Sequence, residues 1–561
     1  MKFSEMPYTH PDMDKVRLLA DRCKDALINA ETADEAEKAY LDWDDACSEF
    51  NTMYSLCYIR HTINTEDEFY SKENDFWDSA SPLFSQYGQA VVKALLESKF
   101  RPQLEERFGR VMFINNDMFL KSFDPAIIPE MQQSNALTTE YEKLIASAQI
   151  DWNGEKLTIS QLAPYKQSTD PNERHKAWAA ESGFYKENAD KLDRIYDDLV
   201  KLRDRMAKKL GYDSYVTLGY YNMTRNCYTR EDVEKFRSAV IKYAVPAADR
   251  LYREQAKRIS AEYPLQYSDT SIIYPDGNAK PVGTAEDILA AGKRFYHSLS
   301  EETAEFIDFM YDNELMDVLS RKGKAAGGYC TELPLYHAPF IFTNFNGTQS
   351  DVETVTHEAG HAFAAYVNRN RRPGDNMLPT LEACEIHSMS MEFFGWQSAD
   401  DFFGENAEKF KYTHLSDAIK FLPYGTMVDH FQHIVYDHPE YTPEQRIDEW
   451  KRLTGIYMPW INMDGSAFYG EGRAWQRQTH IYERPFYYID YCLAQTVALE
   501  FWVIMQTDPK EAFRRYMDLV SLGGTETFDG LVAAAGLDTP FGDDALRKIT
   551  EAAMKFLGYE K

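Results

Sequence analysis

The run Thr354-Val355-Thr356-His357-Glu358-Ala359-Gly360-His361-Ala362-Phe363-Ala364-Ala365-Tyr366 sets two histidines four residues apart, with a glutamate beside the first. On a helix, positions i and i+4 lie one turn apart on the same face, so two imidazoles at this spacing can grip one metal ion. Glu358 then sits beside the ion's open coordination position, where it can take a proton from a bound water. Zinc lowers the pKa of such a water to about 7, which supplies a nucleophile at neutral pH. The chemistry implied is hydrolysis of an amide bond, with Glu358 as general base. Histidine is scarce, at 13 residues, so the plainer alternative of two unrelated imidazoles on a polar helix face requires a coincidence. The flanks predict a motif in mid-helix. Ser350 and Glu353 spell a capping box that starts the helix. Val352, Val355, Ala359, Ala362, Phe363 and Tyr366 recur at helical spacing, and Arg371-Arg372-Pro373-Gly374 stops it.

Just upstream, Pro339-Phe340-Ile341-Phe342-Thr343-Asn344-Phe345 is aromatic and β-branched and ends at Asn346-Gly347, which reads as a strand. A strand edge beside a metal can bind an extended peptide through backbone hydrogen bonds; the alternative is an ordinary core strand. Gly327-Gly328-Tyr329-Cys330 reads as a flexible loop over the cleft, or as a turn.

Two histidines leave a catalytic zinc short of its usual three protein ligands. The next predicted helix, Leu381 to Phe394, offers Glu382, Glu385, His387 and Glu392. Glu385, Ser388 and Glu392 fall on one face, which could turn one carboxylate to the metal and a second to the histidines. Spacing alone does not choose between Glu382 and Glu385. Glu353, one turn before His357, either orients that imidazole by accepting its second N–H or serves only the cap. Amide hydrolysis also needs donors for an oxyanion. His480, Tyr487, Tyr488 and Tyr491 are candidates, with Tyr488 and Tyr491 on one helix face; in a chain with 37 tyrosines, packing is the alternative. His430, His433 and His438 suit either a second metal or, more simply, a helix face. His337 is read in the same way, and His387 as a pocket-lining neighbour of the ligand helix.

The first glycine is Gly88, and the stretch before it shows helical spacing in Val16, Leu19, Cys23 and Leu27. Ala189 to Leu210 reads as a long helix with a stripe of Leu192, Ile195, Leu199, Leu202 and Met206, stopped by Gly211. Asp151-Trp152-Asn153-Gly154 reads as a hairpin turn between Gln149-Ile150 and Lys156 to Ile159. The 561 residues allow several domains: an N-terminal helical region at 1–190 and a catalytic region at 191–561, with interleaved lobes and a boundary at the irregular 263–283 stretch. The formal charge of −29 argues against nucleic acid and against an anionic membrane surface. Seven scattered cysteines without a CxxC pair suit reduced thiols in the cytoplasm. Met1 to Pro11 lacks a secretory pattern, and no apolar run reaches the roughly 20 residues that cross a bilayer.

Glu385-Ile386-His387-Ser388-Met389-Ser390-Met391-Glu392 follows the metal helix as the Glu-x-x-Ser-x-x-x-Glu element does in the thimet oligopeptidase and oligoendopeptidase F family. Asp351-Val352-Glu353-Thr354 and Gly328-Tyr329-Cys330 also resemble that family, as does Arg484-Pro485-Phe486-Tyr487-Tyr488-Ile489-Asp490-Tyr491-Cys492-Leu493-Ala494-Gln495. The likeness leans to the oligoendopeptidase F branch and runs roughly from Lys176 to the C-terminus. It implies a mainly α, two-lobed peptidase with a deep central channel for short peptides and a small β-sheet next to the zinc helix. It implies one zinc ion held by His357, His361 and Glu385. His480, Tyr488 and Tyr491 match the family's transition-state and substrate-binding positions. The expectation is a zinc endopeptidase acting on short oligopeptides. The alternatives are a carboxypeptidase on a related helical scaffold, with Arg473 as a clamp for the terminal carboxylate, and a non-catalytic peptide-binding protein.

Overall fold

The stretch before Gly88 folds as long helices, α1 (Met13–Asn29), α2 (Ala33–Ile63) and α3 (Glu68–Leu96). Asp12, Thr32 and Asp67 start them, each side chain accepting backbone N–H groups of the first turn. Cys23 and Leu27 of the predicted stripe are buried against Tyr40, Trp43, Val91 and Leu95. The computed structural model describes residues 1–463, 465–542 and 544–559. It is mainly helical, as expected, with small sheets. The helix expected at Ala189 to Leu210 runs over Ala189–Lys209 (α4), and Gly211 follows at φ 86°. The predicted hairpin is β1 (Ile150–Trp152) against β2 (Glu155–Leu157). Asn153 and Gly154 take positive φ, 51° and 89°, as a two-residue type I′ turn requires. Its second strand is shorter than expected because Thr158 caps a helix that starts at Ile159. The irregular 263–283 stretch is tied to its surroundings: Leu265–Gln266 pairs with Ile461–Asn462, and the buried Gln255 amide donates to Thr270 O and Ile272 O.

Three strands form the sheet beside the motif: β3 (Met316–Leu319), β4 (Tyr329–Leu333) and β5 (Ala338–Phe345), in the order β3-β5-β4. The Pro339–Phe345 run is therefore the central strand and not an edge. Its apolar residues cover both faces, with Phe340, Ile341 and Phe342 all buried, which suits a strand packed on two sides. The two edges are β3, parallel to β5, and β4, antiparallel to it.

Behind the sheet lie α5 (Ser350–Asn368), α6 (Leu381–Phe394), α7 (Ala407–Asp437) and α8 (Tyr488–Met505). They share one core with β5 and with Phe50 and Trp77 of the N-terminal helices. The Ser350–Glu353 capping box does not form. Helical geometry begins one residue earlier, at Gln349, which makes no side-chain cap bond. Ser350 pairs with the Thr348 hydroxyl, and Glu353 accepts from the Gln349 amide. Asp351 fastens the preceding turn by accepting from the Asn346 and Gly347 N–H groups. Among the described residues, no helix is long and apolar enough to cross a membrane.

Candidate active site

Gly360 decides how closely the motif helix approaches its neighbour. A Cβ there would fall 2.6 Å from Ser388 Cα and 2.7 Å from His387 O. The backbones of α5 and α6 thus touch, and glycine is the residue that lets them. This contact sets Glu385 opposite the two histidines. Glu385 Oε2 lies 3.2 Å from His357 Nε2 and 3.4 Å from His361 Nε2. The three donor atoms lie within 4.8 Å of one another, the one such group found among the described residues. Two imidazoles and a carboxylate are a donor set that fits a catalytic zinc. Glu382 is not in the group. It is 0% exposed, neither oxygen has a hydrogen-bond partner in the structure, and burial raises its carboxyl to about 7.

The donors are held from behind. Glu392 Oε1 accepts from His357 Nδ1 at 2.6 Å, which leaves the Nε2 lone pair facing the shared centre. Glu392 Oε2 lies 2.8 Å from His414 Nε2. The Trp396 indole donates to His414 Nδ1 at 2.9 Å, so a neutral His414 carries its proton on Nε2 and donates it to Glu392. Glu392 is thereby bonded at both oxygens. Ser388 Oγ donates to Glu385 Oε2 at 3.1 Å, and the Tyr487 hydroxyl donates to Glu385 Oε1. Burial disfavours the Glu385 charge, but the His361 and His357 imidazoles outweigh it and hold this carboxyl well below its ordinary range. Glu353 does not orient His357; burial raises it to about 7. His414, Trp396 and the bond from Tyr487 to Glu385 were not read from the sequence.

Glu358 is 7% exposed, and burial raises its carboxyl above the ordinary range against the pull of His357 and His361. Gly328 leads into the edge strand β4 directly over it. A Cβ at Gly328 would meet Glu358 Oε1 at 3.4 Å and Phe342 O at 3.3 Å. Gly328 is thus a close approach next to the carboxylate, whereas Gly327 has open space at its Cβ position.

His480 and Tyr491 are paired. His480 Nε2 lies 3.1 Å from the Tyr491 hydroxyl, and Gln478 Nε2 donates to His480 Nδ1 at 2.9 Å. Burial pushes His480 down to about 4, so the ring is neutral at pH 7 with its proton on Nε2. It donates to the Tyr491 oxygen and leaves the Tyr491 proton free to point elsewhere. Tyr488 is 8% exposed, with its ring 5.3 Å from His480 and 5.4 Å from Tyr491. Tyr487, 4.9 Å from the Tyr491 ring, links this group to Glu385. The start of α8 is pinned by a residue far away in sequence. Arg225 donates to Phe486 O and, at 3.0 Å, to Asp490 Oδ1. Phe486 sits at φ 68°, a strained conformation for a non-glycine residue, and Gln432 Oε1 accepts its N–H at 3.0 Å.

The other histidines have local partners. His430 meets the Tyr457 hydroxyl at 3.0 Å, His433 the Tyr220 hydroxyl at 3.0 Å, His438 Glu440 at 3.2 Å, and His337 Arg369 O at 2.7 Å. His387 is buried, and burial lowers it to about 3. Arg473 is paired with Asp193 at 2.6 Å.

Residues 3–123 match the peptidase M3 N-terminal domain and residues 294–551 match peptidase family M3. The oligopeptidase PepF of Bacillus subtilis (strain 168) is 21% identical over 557 residues, covering 91% of this chain and 78% of that protein. Among solved structures, PZ peptidase A with an inhibitor is 44% identical with a TM-score of 0.98, covering 99% of each chain. A Bacillus anthracis str. Ames structure assigned as an oligoendopeptidase F is 41% identical with a TM-score of 0.94, covering 100% of this chain and 98% of the other.

Proposed function

Because this chain belongs to peptidase family M3, we propose that it is a zinc-dependent endopeptidase that cuts internal amide bonds of short peptides. That it is a peptidase follows from the family and its relatives. The observation that carries the finer reading is the cluster of His357, His361 and Glu385 with the buried Glu358 beside it. These three residues would hold one zinc ion. When bound, the ion supplies Lewis-acid polarisation of the scissile carbonyl and of water.

The remaining work falls to side chains. Glu358 takes a proton from the attacking water and passes it to the leaving amine. Its buried setting makes it a stronger base than an exposed glutamate. Tyr491 donates to the developing oxyanion, with its own proton freed by the donation from His480, and Tyr488 completes the wall. Burial and the nearby Glu385 charge hold the Tyr491 phenol well above its ordinary pKa, so it stays a donor. The free edge of β4, which begins over Glu358, supports binding of an extended peptide by strand addition. In this reading a deep channel between two lobes limits substrates to short peptides, and the seven free cysteines suit a cytoplasmic protein.

Arg473, the clamp considered for the carboxypeptidase alternative, is already paired with Asp193. Peptides blocked at both termini test the choice. The zinc-loaded protein is expected to cut them internally. Stepwise release of single residues from free C-termini alone would favour a carboxypeptidase, and binding without cleavage would favour a peptide-binding protein.

A further inference from the structure

Arg477, one turn beyond Arg473, has no counter-charge of its own. Its guanidinium lies over the rings of Trp178 and Tyr469, 5.9 Å from each centroid. The tyrosines Tyr267, Tyr424 and Tyr469 and the carboxylate of Glu181 act on it electrostatically. Glu181 is already taken by Lys166 Nζ and, at 2.5 Å, by the Tyr469 hydroxyl. Two cations therefore share one carboxylate, and one positive charge is left over in a chain of net charge −29. Buried arginines elsewhere have carboxylates: Arg174 has Asp269 at 2.6 Å, Arg225 has Asp490 at 3.0 Å, Arg237 has Asp429 at 3.2 Å and Arg446 has Asp197 at 3.0 Å. Arg203, also buried, is bonded instead to the Tyr436 hydroxyl and Tyr482 O. Arg477 makes no ion pair among the described residues, and it is half-buried rather than fully enclosed.

Its position relates it to the oxyanion donors. Tyr424 donates to Gln478 Oε1 at 3.0 Å. Gln478 donates to His480 Nδ1 at 2.9 Å, and His480 meets Tyr491 at 3.1 Å. The Tyr424 ring also lies 5.9 Å from Tyr488. The unpaired cation thus stands at the far end of one connected line that starts at Tyr491. A planar guanidinium held between aromatic rings presents a fork of donors that matches a carboxylate.

We propose that Arg477 anchors a carboxylate of the bound peptide, the C-terminal one by preference, and so sets which end of the substrate lies beyond His480. This rests on the peptidase reading of the same site. The anchor favours peptides that end shortly after the cut but does not require a free terminus, so blocked peptides are still cut, more slowly.

The test is a binding measurement that does not depend on turnover. An N-acetylated hexapeptide, as free acid and as C-terminal amide, is titrated calorimetrically into zinc-loaded Glu358→Gln protein and into the Glu358→Gln, Arg477→Met double variant. A second amidated pair carries Glu or Gln at the final position, which separates a side-chain carboxylate from the terminal one. The free acid is expected to bind about tenfold or more tightly than the amide when Arg477 is present. In the double variant the two should bind alike, while amide affinity stays within about twofold. Arg477→Lys, which keeps the charge, should retain part of the preference. An unchanged acid-to-amide ratio in Arg477→Met, or no preference in its parent, overturns the assignment while leaving the peptidase reading intact. Equal loss of both peptides would make Arg477 a packing residue and also overturn it. Failure of any peptide to bind any variant would overturn the peptidase reading and this one together.

Discussion

Glu392 Oε1 lies 2.6 Å from His357 Nδ1 while its other oxygen is held by His414. One carboxylate thus fixes both the tautomer and the ring orientation of the first histidine. Removing it with Glu392→Ala should lower zinc affinity by about ten- to a hundredfold. Competition with a fluorescent chelator checks this. Wild-type affinity in the variant would mean that α5 alone orients His357.

Glu385→Ala should strip the metal, and Glu382→Ala should not. Glu385 faces both imidazoles, whereas Glu382 is buried outside the cluster. Metal content after dialysis against a chelator separates the two. Equal retention by wild type and Glu385→Ala would remove Glu385 from the donor set.

Gly360→Ala sets two effects against each other. Alanine gains about 1 kcal/mol in helix propensity. Its Cβ, however, would sit 2.6 Å from Ser388 Cα and 2.7 Å from His387 O, and backbone atoms cannot swing aside. Overpacking of this kind costs about 1–3 kcal/mol, so the clash should win. The variant should melt lower and bind zinc more weakly, because α6 carries Glu385. A higher Tm with unchanged zinc affinity would show that the helices have slack.

Tyr491→Phe keeps the ring and its packing and removes only the hydroxyl. A donor used chiefly in the transition state appears in kcat, so kcat should fall on the order of a hundredfold with KM little changed. Steady-state kinetics on a blocked fluorogenic peptide decide it. An unchanged kcat would move the role to Tyr488 or His480.

The parts of the site legible in the sequence are those confined to one element. His357 and His361 share a helix face by spacing alone, and so do Glu385, Ser388 and Glu392; the structure turns both faces toward each other. Contacts between distant elements leave no such trace. Arg225 reaches Phe486 across 261 positions, and neither residue carries a local signal for the other. His414 and Trp396 are likewise joined only by folding. One local reading failed and another stayed open between two alternatives, both for local reasons. Ser350 and Glu353 have capping-box spacing, but helical geometry starts at Gln349 and leaves Ser350 inside the first turn. The Pro339–Phe345 run is apolar on both faces, and a short apolar run does not tell a central strand from an edge until its partners are known.

The central claim is that Glu358 acts as a base beside a metal it does not hold. Glu358→Gln should therefore keep the zinc content of the wild type and lose hydrolysis by about a hundredfold or more, measured on one preparation by metal analysis and by cleavage of a blocked peptide. Full zinc occupancy with less than about a hundredth of the activity is the predicted result; retention of more than about a tenth of the activity would contradict it.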